Sequence, residues 1–405
     1  MYSARFSGAA NVTTAGAYEI TVTSDDGVRV RVDGKTIIDD WTPHSPRAAN
    51  ATVTLGVGVH DVVVEYFQMR GAATLVFDVA PAFADVVPST AAPMDGPKPL
   101  FSNPVVPFDC PDPGVISAPA ADGHPRWVMV CTGGKFQLHV SDDLVTWTNS
   151  GKYILPDGKA AWSANGNRDW APEIHPIGSS WIAYFTAVNG SDVLSIGCAY
   201  ASDPLGPFTD CGGPIVQDPL GVIDATFFED VDGKRYLYWK IDGNSQGKPT
   251  PIFVRELASD GRSFAPGSTA TQVLVNDTAT WEGGVVEAPW IVLHDGKYFL
   301  FYSGNVYDDR YRTGVARASS PKGPFTKKGA PILANNTKWV GPGHGSVFER
   351  NGKSYFFHHA WPALANGKND TTKGRYGLIA PIQWGSDGWP VASDGTPVTT
   401  PIEWP

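Results

Sequence analysis

The chain is 405 residues long, 42% hydrophobic and 12% aromatic, and carries 31 Lys and Arg against 41 Asp and Glu, a formal net charge of −10 at pH 7. That length can bury a large core and is expected to divide into two domains, while the acidic balance argues against a nucleic-acid partner, which requires a basic face. No apolar run approaches the roughly 20 residues that a membrane-spanning helix needs, so a soluble chain with no membrane partner is expected.

Residues 1–83 read as a small all-β unit. YEITVTSDDGVRVRVDGKTIIDDW alternates apolar and polar residues through two strands around the turn Ser24-Asp25-Asp26-Gly27, and HDVVVEYFQ followed by TLVFDV supplies two more. Through TSDDGVRVRVDGK, the later DDW and GVHDVVVEYFQMRGAATL, this segment resembles the protective-antigen-type β-sandwich, a carbohydrate-associated module that usually has further strands ahead of YSARFSG. The resemblance makes Asp25 and Asp26 candidates for holding calcium and glycan; the alternative is that they are turn residues. An accessory domain, packing or weakly sugar-binding, is expected. Residues 84–100, ADVVPSTAAPMDGPKPL, are rich in Pro and Ala and read as a linker.

From residue 101 to 405 one pattern recurs: a short strand opening with a polar residue, a Gly-containing turn, then an aromatic strand. It is plainest in VVEAPWIVLHDGKYFLFYSGN (Val285 to Asn305), and returns in WAPEIHPIGSSWIAYFTA, VIDATFFEDVDGKRYLYWK and GHGSVFERNGKSYFFHH, with a degenerate first copy at PDPGVI. Third strands with their exits recur in IGCAYASDPLGPFTD and TGVARASSPKGPFTK. Repeats of about 40 to 60 residues with about four strands each are the signature of propeller blades, and five copies predict a five-bladed β-propeller. The fold expected is therefore all-β, a propeller preceded by a β-sandwich. Inner strands converge on the axis, so Asp112, Glu173, Asp224, Glu287 and His344, taken as equivalent, should share one central pocket.

Asp112 stands between two prolines that stiffen the backbone, Asp224 and Glu287 between apolar neighbours where a carboxylate needs a partner or a function. Carboxylates converging in an aromatic pocket suggest glycoside hydrolysis, with one acid raised in pKa by burial and repulsion and another kept ionised. In PDPGVI, WAPEI, VIDATFFEDVDGKRYLYW, VEAPWI, SDPLGPF with SPKGPF, GPGHGSVF and GRYGLIAPIQWGSDGWP, spanning Asn103 to about Pro390, the chain resembles glycoside hydrolase family 43. These are five-bladed propeller arabinofuranosidases, arabinanases and β-xylosidases. The resemblance implies inversion, with Asp112 as general base, Glu287 as general acid and Asp224 orienting the acid and tuning its pKa. It also places His344 near a central metal, often calcium, in arabinan-active relatives; the other reading of His344 is a hydrogen bond in the pocket floor. No cofactor is required for the chemistry, and a structural calcium stays open.

Further candidates for sugar contact are Phe136, Trp170, Glu173, Asn244, His344 and Arg375, with Trp162 and Trp339 as additional stacking faces or packing between blades. The combination YLYWKIDGN, WEGGVVEAPW, YSGNVYDD and GPGHGSVF looks most like exo-acting arabinofuranosidases on α-1,5-arabinan, a plant cell-wall polysaccharide; a β-xylosidase, an exo-galactanase or a non-catalytic carbohydrate-binding propeller remain alternatives. Whether the action is exo depends on loops such as 305–312 and 364–373. Four cysteines fall into two local pairs, Cys110 with Cys131 and Cys198 with Cys211, and six Asn-x-Ser/Thr sequons occur at Asn11, Asn50, Asn189, Asn276, Asn335 and Asn369. Both features point to a secreted, extracellular glycoprotein. Met1-Tyr2-Ser3-Ala4-Arg5 has no apolar leader core, so a leader removed beforehand or a longer parent chain is expected. A monomer is expected.

Overall fold

The computed structural model describes residues 2–12, 16–45, 47–69, 74–81, 100–119 and 125–404. The chain divides into two compact units, Met1–Pro97 and Lys98–Pro405, and most of the expected linker lies outside the described residues.

The first unit is a pair of antiparallel sheets. One has the order Tyr2–Val12, Gly58–Gln68, Val28–Val32, Lys35–Asp40; the other has Gly16–Asp25 between Arg47–Leu55 and Thr74–Pro81. Alternation explains the core: Val28, Val30 and Val32 point inward with polar residues between them, against Ile20, Val22, Val62 and Val64. The Ser24–Gly27 turn carries the chain from one sheet to the other rather than closing a hairpin. Asp26 is buried there, and its carboxylate accepts the backbone N–H of His44 (3.0 Å) and of Met69 (2.6 Å), which is the turn role.

The second unit holds five four-stranded antiparallel sheets, each laid down in chain order from the inside out. The innermost strands are Gly114–Pro119, Trp170–Ile177, Val222–Glu229, Val286–His294 and Trp339–Arg350, in blades I to V. Each touches the next, and the fifth touches the first, so the ring is closed. Val106 bridges to Gly377, Asn103 exchanges two hydrogen bonds with Ile379 (2.8 and 3.0 Å), and Leu100–Phe101 pairs with Ile402–Glu403.

Second strands are aromatic for a geometric reason. Successive side chains leave a strand on opposite faces, and each blade is covered on both faces by its neighbours. Phe185 joins the core between blades I and II while adjacent Tyr184 joins that between II and III. Trp239 and Tyr238, Tyr302 and Phe301, and Phe356 and Phe357 divide in the same way, so five apolar seams close the circle. Each fully buried aromatic contributes roughly 1.5–3 kcal/mol of transfer free energy.

The two disulfides pair as expected. Cys110–Cys131 fastens the entry loop of blade I to the end of its second strand, and Cys198–Cys211 fastens the third strand of blade II to its exit. Three of the sequons are occupied by structure: Asn189, Asn276 and Asn335 donate their amide N–H to Ser195 Oγ (3.2 Å), Gly283 O (3.0 Å) and Asp309 O (2.7 Å), the atom a glycan would need. No helix among the described residues is long and apolar enough to cross a membrane.

Close backbone approach at the fifth inner strand yields a stability prediction. A Cβ on Gly345 would lie 1.9 Å from Phe357 O and 2.8 Å from His358 Cα, both backbone atoms that cannot yield cheaply. Gly345→Ala should lower the unfolding free energy by about 1–3 kcal/mol or more, whereas Gly213→Ala, which meets nothing within 4 Å, should stay within about 0.5 kcal/mol. Denaturant melts of the two variants decide it; equal stabilities would refute the packing argument.

Candidate active site

Four of the five inner strands depart from regular pairing where they reach the axis, and Asp112 stands just ahead of the fifth, Gly114–Pro119, which pairs without a shift. Register shifts fall between Trp170 and Glu173, Ile223 and Thr226, Glu287 and Trp290, and Gly343 and Gly345. At or beside these points Asp112 (φ 55°), Ala171 (43°), Asp224 (57°), Ala288 (56°) and His344 (40°) adopt left-handed backbone. Such a bulge re-aims side chains. These five positions are the true equivalents from blade to blade, which corrects the sequence alignment: Glu287 stands one residue before its blade's left-handed position and Glu173 two residues after.

A cavity of about 320 Å³ opens at the bulged ends, lined by Asp112, Asp224, Glu287, His344, Arg375, Lys240, Trp170, Asn244 and Tyr307 among others. Asp112 accepts hydrogen bonds from Thr132 Oγ1 (2.6 Å) and the Arg375 guanidinium (3.0 Å), with His344 Nδ1 at 3.2 Å. Its own N–H donates to His359 Nδ1 at 3.1 Å. Burial by itself would raise the Asp112 pKa, but Arg375 and His344 outweigh it and hold the carboxyl well below the usual range.

Asp224 stands under the opposite condition. Asp224 Oδ2 accepts the Ala288 N–H (2.9 Å), and burial, opposed by His344 but reinforced by Glu287 and Asp112, pushes its pKa up to about 7. Glu287 accepts Lys240 Nζ (2.9 Å) on one oxygen and Tyr311 Oη–H (2.8 Å) on the other. Lys240 is fully buried and also donates to Asp242 (2.8 Å) and Asn244 (3.0 Å). Burial would strip its charge, but Glu287, Asp242 and Asp224 raise its pKa above the ordinary value. His344 is likewise raised, to about 9, because Asp112, Asp224 and Glu287 overcome burial. At neutral pH it is an imidazolium.

Of the sequence candidates, Asp112, Asp224, Glu287, Trp170, Asn244, His344 and Arg375 come together in the cavity. Two do not. Phe136, in the turn ahead of Gln137–Ser141, is fully buried in the seam between blades I and II, 5.5 Å from the Phe185 ring centre. Glu173 is turned from the cavity by the blade II bulge and accepts His175 Nε2 (2.7 Å) and Thr226 Oγ1 (2.7 Å). Trp162 stacks on Phe185 in the seam between blades I and II, and Trp339 packs against Tyr376 within blade V. Among the described residues no group of three or more His, Cys, Asp or Glu is placed to hold a metal directly, and His344 Nδ1 faces Asp112.

Sequence reasoning assigned no role to Lys240 and did not find Thr132, Tyr311 or His359. Lys240 had a signal, a lysine between Trp239 and Ile241 in a strand otherwise apolar, as did the His358-His359 pair inside an aromatic strand. Tyr311, in a loop, had none.

Comparison with known proteins fits this geometry. Residues 101–390 match the family model described as Glycosyl hydrolases family 43, and residues 1–82 match the PA14 domain. An extracellular exo-α-(1→5)-L-arabinofuranosidase of Streptomyces avermitilis is 30% identical over 263 residues, 59% of this chain and 54% of the relative. A β-D-galactofuranosidase of Aspergillus niger is 31% identical over 55% of this chain and 64% of its own length. An arabinan endo-1,5-α-L-arabinosidase C of Emericella nidulans is 30% identical over 72% of this chain and 94% of its own length. The chain thus spans about half to two thirds of the first two relatives. Among solved structures, a thermostable family-43 glycoside hydrolase aligns over 75% of this chain and 99% of its own with 26% identity and a TM-score of 0.64. A Cellvibrio cellulosa α-L-arabinanase complexed with arabinohexaose, 20% identical with a TM-score of 0.58 over 71% of this chain and 96% of its own, shares the fold. With its catalytic-domain match covering most of the sequence, the chain belongs to glycosyl hydrolase family 43.

Proposed function

We propose that the protein is an inverting, exo-acting α-L-arabinofuranosidase that releases L-arabinose from α-1,5-linked arabinan or from arabinofuranosides, outside the cell. The observation that carries this reading is the electrostatic division of the cavity. Asp112 is kept ionised by Arg375 and His344, while a proton is retained on the opposite side, where Asp224 is raised to about 7 beside Glu287. One side is built to take a proton and the other to give one.

In this mechanism Asp112 accepts a proton from water as the water attacks the anomeric carbon, and Glu287 protonates the departing glycosidic oxygen. Thr132 and Arg375 fix the Asp112 carboxylate in orientation. Asp224, through the Ala288 N–H, fixes the backbone that carries Glu287. Lys240 keeps two other acceptors, Asp242 and Asn244, so it stays bonded when Glu287 loses its charge on taking the proton. Inversion requires base and acid carboxyls about 6.5–9.5 Å apart, with water between.

Two features support exo action. Val306 and Tyr307 wall one side of the cavity. Their loop is braced by Trp361 Nε1–H donating to Tyr307 O (2.8 Å) and by Lys368 pairing with Asp309 (3.0 Å), which ties together the two loops on which exo action was expected to depend. The arabinofuranosidase and arabinanase among the relatives favour a pentofuranose, and two disulfides suit an extracellular setting.

The wild type should release arabinose from para-nitrophenyl α-L-arabinofuranoside and from debranched α-1,5-arabinan, and Glu287→Gln should lose at least about 10²-fold in kcat. Turnover of a β-xyloside alone would move the substrate and keep the mechanism; silence of the wild type on every glycoside would refute the enzyme reading.

The pH profile follows from the same charges. Activity needs Asp112 ionised, which its lowered pKa secures well into the acid range, and a proton on the acid side of the cavity, where Asp224 loses its own as pH rises through about 7. The rate should therefore be flat between roughly pH 4 and 6 and fall about tenfold per unit above the upper limb. Arg375→Met removes the cation beside Asp112, so its acid limb should move upward; an unmoved limb in kcat measured from pH 3 to 9 would contradict the assignment of Asp112 as base.

A further inference from the structure

Asp112 and Glu287 are joined, behind the cavity, by two stacked rings. His359 accepts the Asp112 N–H through Nδ1 (3.1 Å), Tyr311 donates its hydroxyl to Glu287 Oε1 (2.8 Å), and the two rings lie parallel within 8° at a centroid separation of 5.7 Å. Both side chains are fully buried and neither lines the cavity, so neither reaches substrate. We propose that the Tyr311–His359 stack is the spacer that sets the distance and orientation between base and acid, making both residues positioning residues of the reaction.

Their chemistry suits the task. Burial, with Arg375 adding to it, drives the His359 pKa well below the ordinary value, so the ring is neutral and its Nδ1 is free to accept. Burial and the surrounding carboxylates raise the Tyr311 hydroxyl well above its ordinary pKa, so it stays a donor to Glu287. The surroundings leave the rings one position. A Cβ on Gly343 would come within 2.4 Å of the Tyr311 ring, so only glycine admits the ring there. Ser303 Oγ, 2.8 Å from that same Cβ position, accepts the His344 N–H (2.9 Å), and His344 Nδ1 returns to Asp112. Base and acid are thus held from both sides by rigid groups, in keeping with the rule that a misplacement near 1 Å can cost about 10²-fold in rate.

This inference rests on the assignment of Asp112 and Glu287, so both are tested together, on whichever glycoside the wild type hydrolyses. Tyr311→Phe keeps the ring and removes the bond to Glu287; His359→Gln keeps an acceptor and removes the stack. For Tyr311→Phe the expectation is a kcat lower by about 10²-fold, a KM within about twofold, a melting temperature close to wild type, and an alkaline limb moved upward. The charged and titratable groups facing Glu287 are Lys240, His344, Asp224 and Tyr311; loss of a donor to the ionised carboxylate favours its protonated form. His359→Gln should lower kcat with KM held, leaving the alkaline limb in place. Unchanged kcat and limb in Tyr311→Phe, a KM that rises with kcat, or loss of folding in both variants, which would leave only core packing, overturns the proposal. If Glu287→Gln or Asp112→Asn retains wild-type activity, the underlying reading of the site fails instead.

Discussion

Buried carboxylates can share one cavity only if positive charge is buried with them, and this condition shapes the centre of the propeller. Removing an ion from water costs several kcal/mol even after relaxation, so Asp112, Asp224 and Glu287 stay together only because Arg375, Lys240 and the His344 imidazolium face them. The compensation is uneven by design of the geometry. Arg375 and His344 lean on Asp112, whereas at Asp224 the pull of His344 and Lys240 does not overcome burial and two like charges. The same burial therefore yields one strongly acidic carboxyl and one that titrates near neutrality, and it is this difference, not the number of acids, that gives a pocket capable of acid–base chemistry.

Such an arrangement needs a rigid frame, and the interblade seams supply it. Each second strand sends alternate apolar side chains, aromatic in blades II to V, into two different seams, so no blade can shift without opening apolar surface on both faces. Closure is completed by the segment around Asn103 and Val106 lying along blade V and by the pairing of Leu100–Phe101 with Ile402–Glu403. The cavity then inherits its precision from packing that begins one strand away from it.

The fold was legible in the sequence because its signal is repeated. Alternating aromatics such as Tyr298 to Tyr302 recur blade after blade, and a fivefold repeat averages out the ambiguity of any single hairpin. The three acids were legible because a lone carboxylate in an apolar run, as in Val222-Ile223-Asp224-Ala225, demands explanation. The exact alignment of the inner strands was not. A bulge adds a residue without leaving a compositional mark, so Glu173 was counted as Glu287's equivalent although the bulges set them three places apart in register. Phe136 shows a second limit: an aromatic residue reads the same whether it faces sugar or seam. Tyr311 shows a third, since its value lies in a contact with His359 across two blades.

The bulges also separate stability from function along each inner strand. A non-glycine residue held in left-handed backbone costs of order 1–3 kcal/mol, and five stand around one axis. Beyond the bulge pairing is regular: Trp290 to His294 run in unbroken register against Phe301 to Lys297, and Thr226 to Glu229 against Tyr238 to Arg235. Those halves carry apolar side chains into the seams, Trp290, Ile291 and Phe227 among them. The strained half presents Asp112, Asp224, Glu287 and His344. A substitution in the regular half acts on folding through packing, while one at Asp112, Asp224, Glu287 or His344 acts first on charge and aim; where the bulge brings backbone against backbone, as at Gly345, stability is reached as well.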